Sequence, residues 1–204
     1  MSRWLFLLVF MAPQSNFSEF SFCREGTRGG DPVPCIRLNE RGGGSFTPDS
    51  ATDGVGEPLE LSAGPTGSFL QLLGKTGYLR DGGLYESGRN VANLGRKILA
   101  VEGEWGRREA VFNYSDRSEV NDLVAFMDRL ISQESLLLEL AFALDFDRLG
   151  LPAMLDRVEG DLRRNRLPDA HRFLDTLRRI GSDPRVVGYA RTAARRLVED
   201  IEDD

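Results

Sequence analysis

The order of hydrophobic patterns along this chain predicts an α+β fold: an N-terminal antiparallel sheet with one short helix, followed by a C-terminal bundle of three or four helices. Three observations carry that expectation. Apolar residues alternate with polar ones in the first half, a helical period takes over beyond Asp116, and the later helical segments are joined by short connections. Strands grouped first and helices after are not the pattern of an alternating parallel sheet.

From Ser18 to Arg24, Phe20 and Phe22 fall on one side and Ser21 and Cys23 on the other, as in a half-buried strand. Pro34 to Glu40 alternates in the same way, and the glycine-rich stretch Gly26 to Pro32 makes the pair a hairpin with a long loop. Antiparallel pairing with Cys23 opposite Cys35 sets Phe22 against Ile36 and Phe20 against Leu38, so both apolar pairs share the face away from the sulfurs. The run Gly42-Gly43-Gly44 and the polar stretch Thr47 to Gly56 read as an irregular connection, with a short strand over Leu59 to Leu61. Thr66 to Leu73 fits one short helix that Gly74 or Gly77 ends. Arg96 to Glu102 and Glu109 to Tyr114 form a second hairpin around Glu104-Trp105-Gly106-Arg107.

Beyond Asp116 the residues Val120, Leu123, Val124, Met127, Leu130 and Ile131 recur on one helical face, and Asp116 with Glu119 forms a capping box. The pattern resumes through Leu137, Leu138, Ala141 and Leu144, as one long helix or two consecutive ones. Pro152 opens the next helix. Asp169 caps another, and Asp183-Pro184 caps and opens the last, with Ala190, Ala194, Leu197 and Ile201 on one side. The expected organisation is a signal peptide over 1–15, an antiparallel α+β domain over 16–116 and a helical bundle over 117–204.

The chain has 204 residues, 41% of them hydrophobic, enough for a packed core. Its net charge of −6 argues against a sequence-independent nucleic-acid binder, which depends on many phosphate-neutralising cations. Ser2-Arg3, the uncharged apolar run Trp4 to Met11, and Ala12-Pro13-Gln14-Ser15 read as a secretory signal. The run falls below the roughly 20 residues of a spanning helix, so no stable membrane anchor is expected after processing. Two cysteines, Cys23 and Cys35, suggest one disulfide in an oxidising compartment, secreted or periplasmic.

No motif names a chemistry. Gly74-Lys75-Thr76 lacks the glycine five residues earlier that a phosphate loop requires, since Phe69 stands there. His171, the one histidine, would have Asp175 a turn away but no nucleophile, and reads as a surface residue. Glu102, Glu104 and Glu109 read as solvent-facing residues around the second hairpin, and the arginines of the last helices as locally paired, Arg195 with Glu199 and Arg196 with Asp200. No catalytic residue, cofactor or metal site is assigned. Trp105, beside Arg107 and Arg108 at a hairpin tip, stands out as a candidate interaction site, because tryptophan and arginine are enriched at binding hot spots; burial of Trp105 in the core is the competing reading. The expectation is an exported, non-enzymatic binding domain whose partner is another protein. A hydrolase or transferase with a site not readable from sequence, and a cytosolic adaptor, are the alternatives.

Overall fold

The computed structural model describes residues 17–25, 34–49, 56–81, 85–92 and 95–203. The expected signal segment, the loop between the first two strands and most of the stretch between Thr47 and Gly56 lie outside the described residues. The chain is α+β. Strands β1 (Phe17–Glu25), β2 (Cys35–Leu38), β3 (Gly43–Thr47) and β4 (Glu57–Glu60) precede helix α1 (Ala63–Lys75). Strands β5 (Arg96–Gly103) and β6 (Gly106–Phe112) follow. Four helices complete the fold: α2 (Ser118–Phe146), α3 (Leu151–Arg163), α4 (Leu174–Ser182) and α5 (Gly188–Glu202), with a 3-10 turn at Ala170–Phe173 before α4.

The six strands form one antiparallel sheet in the order β4-β3-β2-β1-β5-β6. Its first pairing has the register expected from the apolar pattern: Phe20 faces Leu38, Phe22 faces Ile36 and Cys23 faces Cys35. Those two cysteines form a disulfide across a Cα separation of 4.2 Å. The opposite face of β1 and β2 supplies Phe20, Phe22, Ile36 and Leu38, and the paired β5 supplies Leu99 and Val101, to a buried cluster with Phe69 and Leu73 of α1 and the first half of α2.

Of the glycine run only Gly42, with φ +82°, lies in a turn. Gly43 and Gly44 lie within β3, paired to Glu60 and Leu59 on one side. Gly44 is required by closeness, because a Cβ there would sit 1.9 Å from the Arg37 carbonyl oxygen of β2. The second hairpin is also longer than expected, with β6 starting at Gly106 and not at Glu109. Helix α1 ends at Lys75, and the glycine with positive φ is Gly77 at +61°, so Gly74 remains inside the helix.

Helix α2 is one continuous helix that serves two cores. Val120 to Ile131 join the sheet cluster, whereas Leu136, Leu140, Ala143 and Leu144 join a second cluster with Leu155, Phe173, Leu177, Ala194 and Leu197 of the later helices. Among the described residues no helix is long and apolar enough to cross a membrane.

At the changeover a charged pair replaces the apolar stripe. Glu134, almost fully buried, accepts two hydrogen bonds from Arg172, at 2.9 Å from Nε and 2.8 Å from Nη2. Arg172 also donates to the Glu60 carbonyl of β4 at 3.2 Å. Next to it, buried Asp169 accepts from the Ser62 amide at 2.6 Å and the Ser62 hydroxyl at 2.9 Å, while its own amide donates to Gln133 at 2.8 Å. These bonds tie the start of α1 and the end of β4 to α2 and the 3-10 turn.

Three expected caps are therefore spent elsewhere. Asp169 gives no side-chain cap to its own helical turn. Asp116 accepts from Ser87 at 2.6 Å and pairs with Arg89, and α2 begins without a capping bond. Asp183 accepts from the Arg185 amide at 2.9 Å and its guanidinium at 2.8 Å, which folds a tight turn and delays α5 to Gly188. A short polar side chain takes whichever orphan donor the tertiary fold brings nearest. The expected helix-surface pairs gave way likewise: Arg195 donates to the Gly181 carbonyl at 2.9 and 2.6 Å, near the end of α4, and Arg196 pairs with Glu159 of α3 at 2.7 Å.

Candidate interaction surface

Trp105 occupies the two-residue turn between β5 and β6, where Gly103 pairs with Gly106. Gly106 has φ +86°, a conformation that glycine adopts without a Cβ penalty. Alternation along β6 then splits the three residues of the expected site. Arg108 lies opposite Val101, on the face that carries α1, whereas Arg107 lies opposite Glu102 on the other face. Arg108 stacks its guanidinium over the indole at 4.8 Å from the ring centroid. Arg107 pairs instead with Glu109 at 2.8 Å. The structure thus brings together Trp105 and Arg108 and sends Arg107 away.

The indole is neither core nor free surface. It is 38% exposed and its inner side meets Tyr78 at 5.9 Å, and Tyr78 in turn meets Phe17 of β1 at 6.0 Å. Tyr78 was not visible as a site residue in the sequence, because it lies in the turn after α1 and no periodicity marks it. Its backbone is unusual: Gly77, Tyr78 and Leu79 have φ of +61°, +56° and +57° in succession. Left-handed backbone at a bulky non-glycine residue costs on the order of 1–3 kcal/mol. Leu79, fully buried in the sheet cluster, and the two ring contacts of Tyr78 offset that cost. Phe17, Ser18, Gly103 and Glu104 line a cleft of about 280 Å³ at the same corner.

The other residues weighed from the sequence do not assemble a reaction centre. His171 is exposed on the 3-10 turn and Asp175 is exposed at the start of α4. Ser62, which shares a surface groove with His171, gives its hydroxyl proton to Asp169 and so is not activated by the imidazole. Glu102, Glu104 and Glu109 are exposed around the hairpin. Lys97 is the one buried lysine: it donates to the Asn113 carbonyl at 2.6 Å, and burial, then the nearby Arg24, push its pKa down. Among the described residues, no three His, Cys, Asp or Glu side chains are grouped to hold a metal ion.

A second set of exposed residues has no place among the sites expected from the sequence. Phe142 and Phe146 near the end of α2, Leu149 in the following turn, and Val187 and Tyr189 at the start of α5 all face solvent. A signal existed, since Phe142 and Phe146 are four residues apart and lie off the stripe Leu136, Leu140, Leu144 that builds the core. Comparison of the chain with protein-family models, curated proteins and solved structures gave no match.

Proposed function

We propose that this chain is an exported, non-enzymatic binding domain that engages another protein through the tip of its β5–β6 hairpin. The observation that carries the reading is the Trp105–Arg108 stack, backed by Tyr78 on a left-handed turn. A half-exposed tryptophan with a guanidinium on its face combines the two side chains most enriched at protein-binding hot spots. In the free protein the guanidinium shields the ring. In a complex the same pair offers apolar area and a charged donor to a partner rich in carboxylates or carbonyls. Backbone strain tends to persist where a constellation is held for use, and here it fixes the floor on which the indole rests. The disulfide supports the export half of the reading, because a cystine persists in a secreted or periplasmic setting and is reduced in a typical cytosol.

The test is affinity capture from native extract with the oxidised chain and with a Trp105→Ala, Arg108→Ala double variant of unchanged circular dichroism. A protein retained by the parent chain and lost with the variant is the expected result. Recovery of the same protein by both forms, or of none by either, would reject the hairpin as the binding surface.

A further inference from the structure

The two edges of the sheet are finished differently. At one edge β4 contains Pro58, which has no amide to donate, and the Arg172 guanidinium donates to the carbonyls of Pro58 and Glu60 at 3.4 and 3.2 Å. At the other edge β6 contains no proline and pairs with β5 alone. Antiparallel pairing uses the backbone groups of every second residue and leaves those of the residues between pointing outward. Among the described residues, no backbone hydrogen bond other than those of the β5–β6 ladder engages Arg107 to Val111. Past Phe112 the chain closes the edge itself: Ser87 donates its amide to the Tyr114 carbonyl at 2.8 Å, and Asn113 donates its amide to the Glu86 carboxylate at 2.8 Å. The open stretch therefore runs from the Trp105 turn to Val111, roughly 17 Å at about 3.4 Å per residue.

We infer that this stretch takes an extended, proline-free segment of the partner protein as a seventh strand, with a carboxylate of that segment beside Arg108. The inference rests on the hairpin reading for the partner's being a protein, and adds how that partner is held. The row of outward N–H and C=O groups selects extended backbone, since a strand is what meets donors and acceptors at that spacing. Charge selects its side chains. Arg107 is matched by Glu109 at 2.8 Å, whereas Arg108, stacked on Trp105, has no ion pair among the described residues. Directly opposed residues of neighbouring strands share a face, and opposite charges there attract. A second copy cannot supply the acid through its own β6, because the residues on the Arg108 face of that strand are Gly106, Arg108, Ala110 and Phe112. Its other edge is the one that Pro58 and Arg172 close. The occupant is therefore a different chain. Laid along β6, such a segment starts at the Trp105 turn, so the aromatic pair and the strand edge form one surface.

The test pans a phage library of random heptapeptides on the oxidised full-length chain, then titrates selected sequences by calorimetry as synthetic peptides. Selected peptides are expected to carry an aspartate or glutamate and to lack proline at their centre. Methylating the backbone nitrogen at alternate central residues should weaken binding about tenfold or more for the set that faces β6 and leave the other set nearly unaffected, a parity that docking by side chains alone does not produce. Arg108→Glu should lower the affinity about fivefold or more, and a peptide with lysine in place of its acid should recover it. Failure of the library to yield a peptide that depends on Arg108 overturns the inference, as does equal tolerance of methylation at both sets. The hairpin reading is judged separately by affinity capture. A captured protein that depends on Trp105 and Arg108 but is not displaced by the selected peptide overturns the inference and leaves that reading standing. A peptide that shows the parity while no protein is captured upholds the strand edge and rejects the reading.

Discussion

The hairpin tip and the bundle end both present aromatic side chains to solvent, yet they are constructed differently. Trp105 meets Tyr78 and carries the Arg108 guanidinium over its ring, so that a polar group tempers it while the site is empty. Phe142 and Phe146 touch each other and stand 63% and 75% exposed, with no cation over either ring among the described residues. The difference teaches that exposure alone does not define a binding mode. A site that waits for a partner has to stay soluble without it, which a cation over a ring achieves. A bare apolar face suits a contact that is rarely open.

The comparison can be broken most severely where the sheet and the bundle are joined. Glu134→Ala leaves Arg172 without its carboxylate in a largely buried position, and loss of one partner of such a pair is expected to cost about 3 kcal/mol or more. Urea unfolding monitored by both tryptophan fluorescence and helical circular dichroism would show the midpoint fall. If the two probes also separate, the sheet and bundle have been uncoupled. Reduction of the Cys23–Cys35 bond, which closes a loop across a sequence separation of 12, is expected to cost roughly 3 kcal/mol. Thermal melts with and without reductant measure it, and an unchanged melting temperature would deny the bond a stabilising role.

Smaller effects sharpen the contrast between the two ends. Trp105→Ala should alter stability by only about 1 kcal/mol, because the ring is substantially exposed, while abolishing capture of a hairpin partner. The smallest effect belongs to acid. The Arg185 guanidinium, and then the Arg185 amide, hold Asp183 down from its ordinary 3.8 to about 2. The folded state therefore favours the ionised carboxylate, and its stabilising contribution is present above about pH 4 and lost as pH falls through about 2. Melting temperatures between pH 2 and 5 should fall less steeply in Asp183→Asn than in the parent chain.

How much of this was legible in the sequence depended on whether local pattern or tertiary approach decided the outcome. The β1–β2 register followed from alternation alone, because a slip by one residue would have put Phe20 and Phe22 on the wrong face. The β3 strand was hidden, because three successive glycines carry no alternation; Gly44 is explained by its approach to the Arg37 carbonyl, and Gly42 by its φ of +82° and its approach to Thr66. Caps failed for a related reason: Asp169 could cap locally, but Ser62, 107 residues away, offers two donors. Glu134 was a missed clue, since it falls four residues after Leu130 on the buried stripe of α2, where a carboxylate implies a buried cation. At the candidate site, Trp105 was legible as a turn aromatic. Its separation from Arg107 and its support by Tyr78 depended on the β6 register and on the left-handed turn, and neither has a sequence signature here.

The central claim is that the hairpin is the surface reserved for a partner, and hydrogen exchange tests it most directly. On addition of the captured partner, amides of Gly103 to Arg108 and of Gly77 to Arg80 should exchange more slowly, while those of 142–149 and 187–189 keep their rates. Protection confined to the bundle end, with the hairpin unchanged, would contradict the account.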